Sequence, residues 1–131
     1  MSATTPVYAD VERLLVAFLP GQLGGVRVLT ELPANLADVL PVVSVLRLGG
    51  TDASVAFDVA TVDVDVYAAS RAAASALAEQ VRRALRFALP HTAGVRHVQT
   101  LSAPAWRPYD NTALRRFGAT YQLTVQATSA L

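Results

Sequence analysis

At 131 residues the chain is the size of one domain, long enough to bury roughly two-thirds of the surface its unfolded form exposes, so a single domain over residues 1–131 is expected. Hydrophobic residues make up 53% and mean hydropathy is +0.36, yet no run nears the ~18 apolar residues of a membrane span, so the surplus has to enter a core or a subunit interface. Cysteine is absent, which excludes disulfides, thiolate metal ligands and a Cys nucleophile, and eleven Arg against ten acids leave a net charge of +1, no electrostatic basis for whole-domain nucleic-acid binding.

The opening "MSATTPVYADVERLL" lacks the basic and continuous apolar regions of a secretory signal, so synthesis in the cytoplasm is the default. Thr5 as N-cap and Pro6 at the first helical position predict a helix to about Leu19, with Val7, Val11, Leu14, Leu15 and Phe18 on one stripe and Pro20-Gly21 ending it. A short strand follows from Val26 to Leu32, Val26 and Val28 sharing a face, and then one helical turn between Pro33 and Pro41. "VVSVLRLGG" (Val42 to Gly50) reads as a strand buried on both sides and stopped by its glycines.

From Val55 to Tyr67 apolar and polar residues alternate. Ala60, Val62, Val64 and Val66 take one face, and Thr61, Asp63, Asp65 and Tyr67 the other. Val55, Phe57 and Val59 have the opposite phase, so a slip is expected near Ala60-Thr61, from a bulge or from burial on both faces. Ser70 caps a helix to about Leu89 that buries Ala73, Ala74, Leu77, Val81, Ala84, Leu85 and Ala88 and turns Arg71, Glu79, Gln80, Arg82, Arg83 and Arg86 outward. A strand from Val95 to about Leu101, an irregular loop from Trp106 to Arg116, and a final strand with Phe117, Ala119, Tyr121, Leu123 and Val125 on its apolar face complete the chain. The order α-β-β-β-α-β-β with short connections predicts an α+β fold: a single mostly antiparallel sheet with two main helices packed on it.

Catalytic chemistry finds little support. His91 and His97 have no acid or thiol partner at metal-binding spacing, so no metal or cofactor is expected. Asp63 and Asp65 project from one strand face, read as solvated or facing a lumen. There is no G-x-S-x-G elbow, and "PGQLGG" follows a helix and precedes a strand, the reverse of a phosphate-cradling loop. Arg82, Arg83 and Arg86 form either a solvated face or a set that meets acids across a protein interface, in preference to DNA. The loop concentrates Trp106, Arg107, Tyr109, Asp110, Asn111, Arg115 and Arg116, side chains of the kind enriched at interface hot spots; the alternative is that Trp106 folds back onto its own core.

Three segments, "LPANLADVLPVVSVLRLGG" (Leu32 to Gly50), "VDVDVYAASRAAASALAEQVRRAL" (Val62 to Leu85) and above all "RPYDNTALRRFGATYQLTVQA" (Arg107 to Ala127), together resemble the tail terminator, or tail completion, proteins of long-tailed bacteriophages. The resemblance implies a structural, non-enzymatic subunit that forms a homo-oligomeric ring, typically a hexamer, on the last ring of the tail tube. Such a ring stops tube polymerisation and offers the surface to which the head docks. The implied partners are the chain itself, the tail tube protein and a head–tail connector protein, with DNA only as passing cargo and no membrane. The implied location is the virion's tail–head junction, after assembly in the host cytoplasm. Contact roles carry over to Arg107, Asp110, Asn111, Arg115 and Arg116. The competing readings are another neck protein of the head–tail connection, or a small-molecule or peptide-binding α+β module.

Overall fold

The computed structural model describes residues 5–130; residues 1–4 and 131 of the expected domain lie outside the described residues. Strands β1 (Thr5–Val7) and β7 (Thr128–Ala130) pair antiparallel as a two-stranded ribbon. Between them run helix α1 (Val11–Gln22), β2 (Arg27–Leu29), β3 (Val42–Ser54), β4 (Phe57–Ala68), helix α2 (Arg71–Arg83), β5 (Val95–Trp106) and β6 (Arg115–Gln126). Strands β2 to β6 form one sheet in the order β2-β3-β4-β6-β5, antiparallel throughout except for β2–β3. The α+β sandwich with two helices on a mostly antiparallel sheet is therefore as the periodicities predict, with the terminal ribbon added.

The start of α1 differs from expectation. Thr5–Val7 is strand, and the cap is Asp10, whose Oδ1 accepts from the Arg13 N–H at 3.1 Å. A carboxylate at the N-cap satisfies an orphan amide and suits the positive helix end, which outweighs the Thr5-Pro6 signal. Pro20 does not stop the helix either, since a proline in the last turn forfeits only one hydrogen bond. The stop comes at Gly24, in the left-handed region at φ 69°, with the Gly25 N–H donating back to the Pro20 carbonyl at 2.8 Å. Leu29 and Val42 are separated by 12 residues that include a 3-10 turn (Leu36–Asp38), enough to bring β3 back parallel to β2.

Strand β3 runs through Gly49-Gly50, which mark a register shift and not an end. It is buried on both sides only at Val42 and Val43; Leu46 and Leu48 are exposed. Strand β4 keeps one phase along its whole length, so the expected slip is absent: the inward slot before Ala60 is taken by Asp58, and the irregularity lies opposite, in β3 between Arg47 and Gly49. Asp58 is tolerated inside because Arg47 grips it bidentately, Nη1 to Oδ2 at 2.7 Å and Nη2 to Oδ1 at 2.8 Å.

Helix α2 begins as read, with Ser70 Oγ accepting from the Ala73 N–H. It buries Ala74, Leu77, Ala78 and Val81 against β4, β6 and β5, whereas Ala73 is exposed. Its last turn (Ala84–Ala88) widens to π geometry, the Leu89 N–H reaching the Ala84 carbonyl. That extra residue per turn brings Leu89 inward in place of Ala88 and swings Phe87 out, 80% exposed. The main core joins Leu15 and Leu19 of α1 and Leu77, Val81 and Leu85 to the inward faces of β4 and β6, where Tyr121 and Leu123 are fully buried. A smaller cluster, Leu36, Val42, Tyr67 and Leu114, covers one end of the opposite sheet face.

Two substitutions test this core. Leu123→Ala should lower stability by ~2–5 kcal/mol in denaturant unfolding, as expected for a fully buried leucine. The Tyr121 hydroxyl is buried without a hydrogen-bond partner, and burial pushes its pKa up to about 12. Tyr121→Phe removes that unsatisfied group, so its melting temperature should equal or exceed that of the parent; a marked drop would show that the hydroxyl has a partner.

Candidate functional site

The residues singled out in the sequence fall into two places. Trp106 ends β5, Arg107, Tyr109, Asp110 and Asn111 lie in the loop, and Arg115 and Arg116 begin β6. Arg82 and Arg83 close α2, and Arg86 sits in the π turn. The first group meets α2 at the helix's other end, where the Arg71 guanidinium stands 4.7 Å over the Trp106 ring. At 1.5 Å per residue, Arg71 and Arg86 are roughly 22 Å apart along the helix.

The loop is shorter than the irregular sequence indicates, because β5 extends to Trp106 and β6 starts at Arg115. Its arginines are half-buried and bond to their own chain. Arg116 donates from Nε to the Arg107 carbonyl and from Nη2 to the Pro108 carbonyl, and its guanidinium covers Tyr109 at 5.0 Å. Arg115 donates to the Thr112 and Leu114 carbonyls, and Asn111 Oδ1 accepts from the Ala113 N–H. Tyr109 meets Tyr67 edge to face at 5.4 Å. Trp106 is half-buried, edge to face with Phe117 at 5.8 Å. Asp110, Asn111, Thr112 and Ala113 form the exposed tip.

Arg107 is the centre of this region. Its guanidinium lies on the sheet face away from the helices, 2.8 Å from Asp65 Oδ1 and 3.3 Å from Asp63 Oδ2, and Thr120 Oγ1 donates to Asp63 Oδ1. Asp63 and Asp65 are thus outward-facing, as the alternation predicts, but lie beneath an arginine of their own chain. The absence of a side chain at Gly118 is what admits it: a Cβ there would sit 2.6 Å from Arg107 Cδ and inside contact distance of Asp65. Burial pushes the Asp65 carboxyl above the usual range and Arg107 pulls it back.

Sequence reading missed Phe87. It lies between two clefts, one lined by Gln22, Leu23, Gly24 and Arg83, the other by Glu79, Arg82, Arg86 and Thr100. Its one signal was a phenylalanine among arginines on the outward helix face. Exposed Leu46, Leu48, Val55 and Leu101 extend the apolar surface elsewhere. Among the described residues no group of three or more His, Asp or Glu is placed to hold a metal, and no helix is long and apolar enough to cross a membrane.

The family model described as phage tail termination protein matches residues 7–100. That span includes α1 to the middle of β5 and stops short of the loop on which the sequence resemblance rested most heavily. Among solved structures, a chain from "Virion of native gene transfer agent (GTA) particle" has the same fold, with a TM-score of 0.60 at 22% identity, covering 88% of this chain and 90% of that one. No curated protein sequence matches. The chain belongs to the phage tail termination protein family, a family of structural tail proteins.

The Arg107 pairing gives a pH-dependent prediction. A raised carboxyl pKa means the folded state binds the proton more tightly than the unfolded chain, so Asp65 lowers stability as pH rises above the usual carboxylate range. Arg107→Ala removes the opposing charge and should cost about 1–3 kcal/mol at pH 7, below the figure for a fully buried pair because these groups are partly solvated. The loss should shrink as pH falls into the usual carboxylate range, where Asp65 takes up its proton. Melts across that range check this; a loss that does not vary with pH would show that Arg107 acts by packing alone.

Proposed function

We propose that this structural tail protein closes the head-proximal end of a tail tube as a homo-oligomeric ring, with six subunits the expected order, and that it stops tube growth and presents the surface on which the head–tail connector docks. The observation that carries the reading is the family match across residues 7–100. The exposed apolar side chains Leu46, Leu48, Val55 and Phe87 support it, as they call for contacts beyond the monomer. No catalytic step is assigned to the chain, and its partners are further copies of itself, the tube protein and the connector.

The loop's contact role takes a specific form. With Arg107, Arg115, Arg116 and Asn111 engaged on their own chain, the loop meets a neighbour as a preformed surface, through the half-buried Trp106 and Tyr109 and the exposed Asp110, Thr112 and Ala113. Rigid contacts of this kind lose little conformational entropy on binding. If the sheet face bearing Asp63 and Asp65 lines the passage for DNA, the two carboxylates offset Arg107 and Arg116 on that face, so phosphates passing within ~8 Å at physiological salt meet no net positive charge to hold them.

Light scattering with negative-stain imaging tests the ring. Six copies of 13.8 kDa, about 83 kDa, with a central hole is the expected result; a species that stays monomeric both alone and with purified tail tubes would sink the proposal. Asp110→Arg with Thr112→Arg should leave the melting temperature unchanged and weaken tube or connector docking at least tenfold, about 1.4 kcal/mol.

A further inference from the structure

The helix layer carries two clefts of opposite character at opposite edges of the sheet. Helix α2 packs over β4, β6 and β5, and the cleft between it and the β5 edge is lined by Glu79, Arg82, Arg83, Arg86, Phe87 and Thr100. Three arginines against one acid make it basic. Glu79 takes Arg82 at 3.7 Å, whereas Arg83 and Arg86 make no ion pair among the described residues. Phe87 rises from its rim, turned outward by the π turn.

At the other edge, α1 packs over β2 and β3, and the groove between α1 and β2 is lined by Asp10, Glu12, Arg13, Val16, Val28, Leu29 and Thr30. Its floor offers the half-buried Val16 beside the almost fully buried Val28, and its rim carries two acids against one arginine. Both carboxylates keep acceptor capacity beyond their single backbone bonds, Asp10 to the Arg13 N–H and Glu12 to the Arg47 N–H.

We infer that the two edges are the two halves of one subunit contact: Phe87 of each copy enters the α1–β2 groove of the next copy, over Val16, with Arg83 and Arg86 meeting Asp10 and Glu12. The occupant is a second copy of this chain because the basic cleft and the acidic groove are complementary in charge. The two surfaces are different parts of the molecule, so the contact is head-to-tail, and head-to-tail contacts close into rings when the rotation between copies permits. An aromatic anchor ringed by charges that meet charges of opposite sign is an arrangement expected of an interface hot spot. The inference rests on the ring reading above and supplies its contact.

The absence of cysteine allows a direct test. Ala88→Cys stands beside Phe87 and Thr30→Cys on the groove rim, both at exposed positions. The doubly substituted chain, treated with a short bis-maleimide, should give a covalent ladder from dimer to the full ring, whereas either single substitution should leave the chain monomeric on a denaturing gel. Phe87→Ala should keep the parent melting temperature and raise the concentration needed for assembly at least tenfold. Rings visible by light scattering with no ladder would overturn this contact and leave the ring reading standing. Rings formed normally by the Phe87→Ala chain would assign Phe87 to a different protein and also overturn it. A chain that is monomeric at every concentration, alone and with tail tubes, would overturn both.

Discussion

The molecule depends on the pairing of β4 with β6. The two strands run twelve residues against each other, from Phe57–Gln126 to Ala68–Arg115, with no break in register. Because side chains alternate across a strand, that unbroken register fixes the face of every residue in the centre of the sheet at once. Ala60, Val62, Val64 and Val66 meet Ala119, Tyr121, Leu123 and Val125 under the helices, and Asp63, Asp65, Gly118 and Thr120 have to share the other face. A slip of one residue would bury both aspartates in the main core. The strongly apolar composition resolves itself the same way, since the central strands fill one face and leave the remaining apolar side chains at the periphery.

Two arginines then make the polar residues of this sheet tolerable, each by a different route. Arg47 neutralises Asp58, the one acid in an inward slot of β4, with a two-point contact. Arg107 crosses the outward face and draws Asp63 and Asp65 together, and it can do so only because Gly118, directly opposite Asp65 in the ladder, leaves the space. Two carboxylates on one strand face would otherwise repel each other. The guanidinium fork suits both tasks better than a lysine ammonium, whose single point charge cannot serve two acceptors in one plane. The same arginine fixes the start of the loop, whose backbone carbonyls Arg115 and Arg116 then hold.

Strand alternation and helix stripes were legible in the sequence because burial enforces them: the β4 and β6 inward faces, the Ser70 cap and the Leu77-Val81-Leu85 stripe all stand as read. Three kinds of feature were not. Asp10 and Thr5 are both good caps; the Asp10 carboxylate takes the helix end while Thr5 is drawn into its pairing with β7, a tertiary contact local sequence does not show. The inward Asp58 looked like a phase slip because its partner Arg47 is eleven residues away, and local periodicity is blind to such a pair. The π turn has no sequence signature, so Ala88 was assigned the inward position that Leu89 holds, and Phe87 passed unnoticed. The loop residues expected to make contacts were singled out by their type, but their type does not reveal that several of them are bonded to their own chain.

That difference between loop and helix end follows from what surrounds each. In the loop, charged groups lie beside unpaired backbone carbonyls and an acidic sheet face, so arginines satisfy their donors locally and little is left over for a neighbour. At the end of α2, Arg83 faces solvent, the half-buried Arg86 makes no ion pair among the described residues, and Phe87 is left 80% exposed. An exposed aromatic of this size forgoes roughly 1.5–3 kcal/mol of burial in an isolated monomer. A subunit that works in isolation gains nothing from the extra residue of a π turn that holds Phe87 in water. One that works inside an assembly recovers the burial from the adjoining surface, and in the contact proposed above an anchor and a groove at opposite sheet edges would let each copy offer both to its two neighbours.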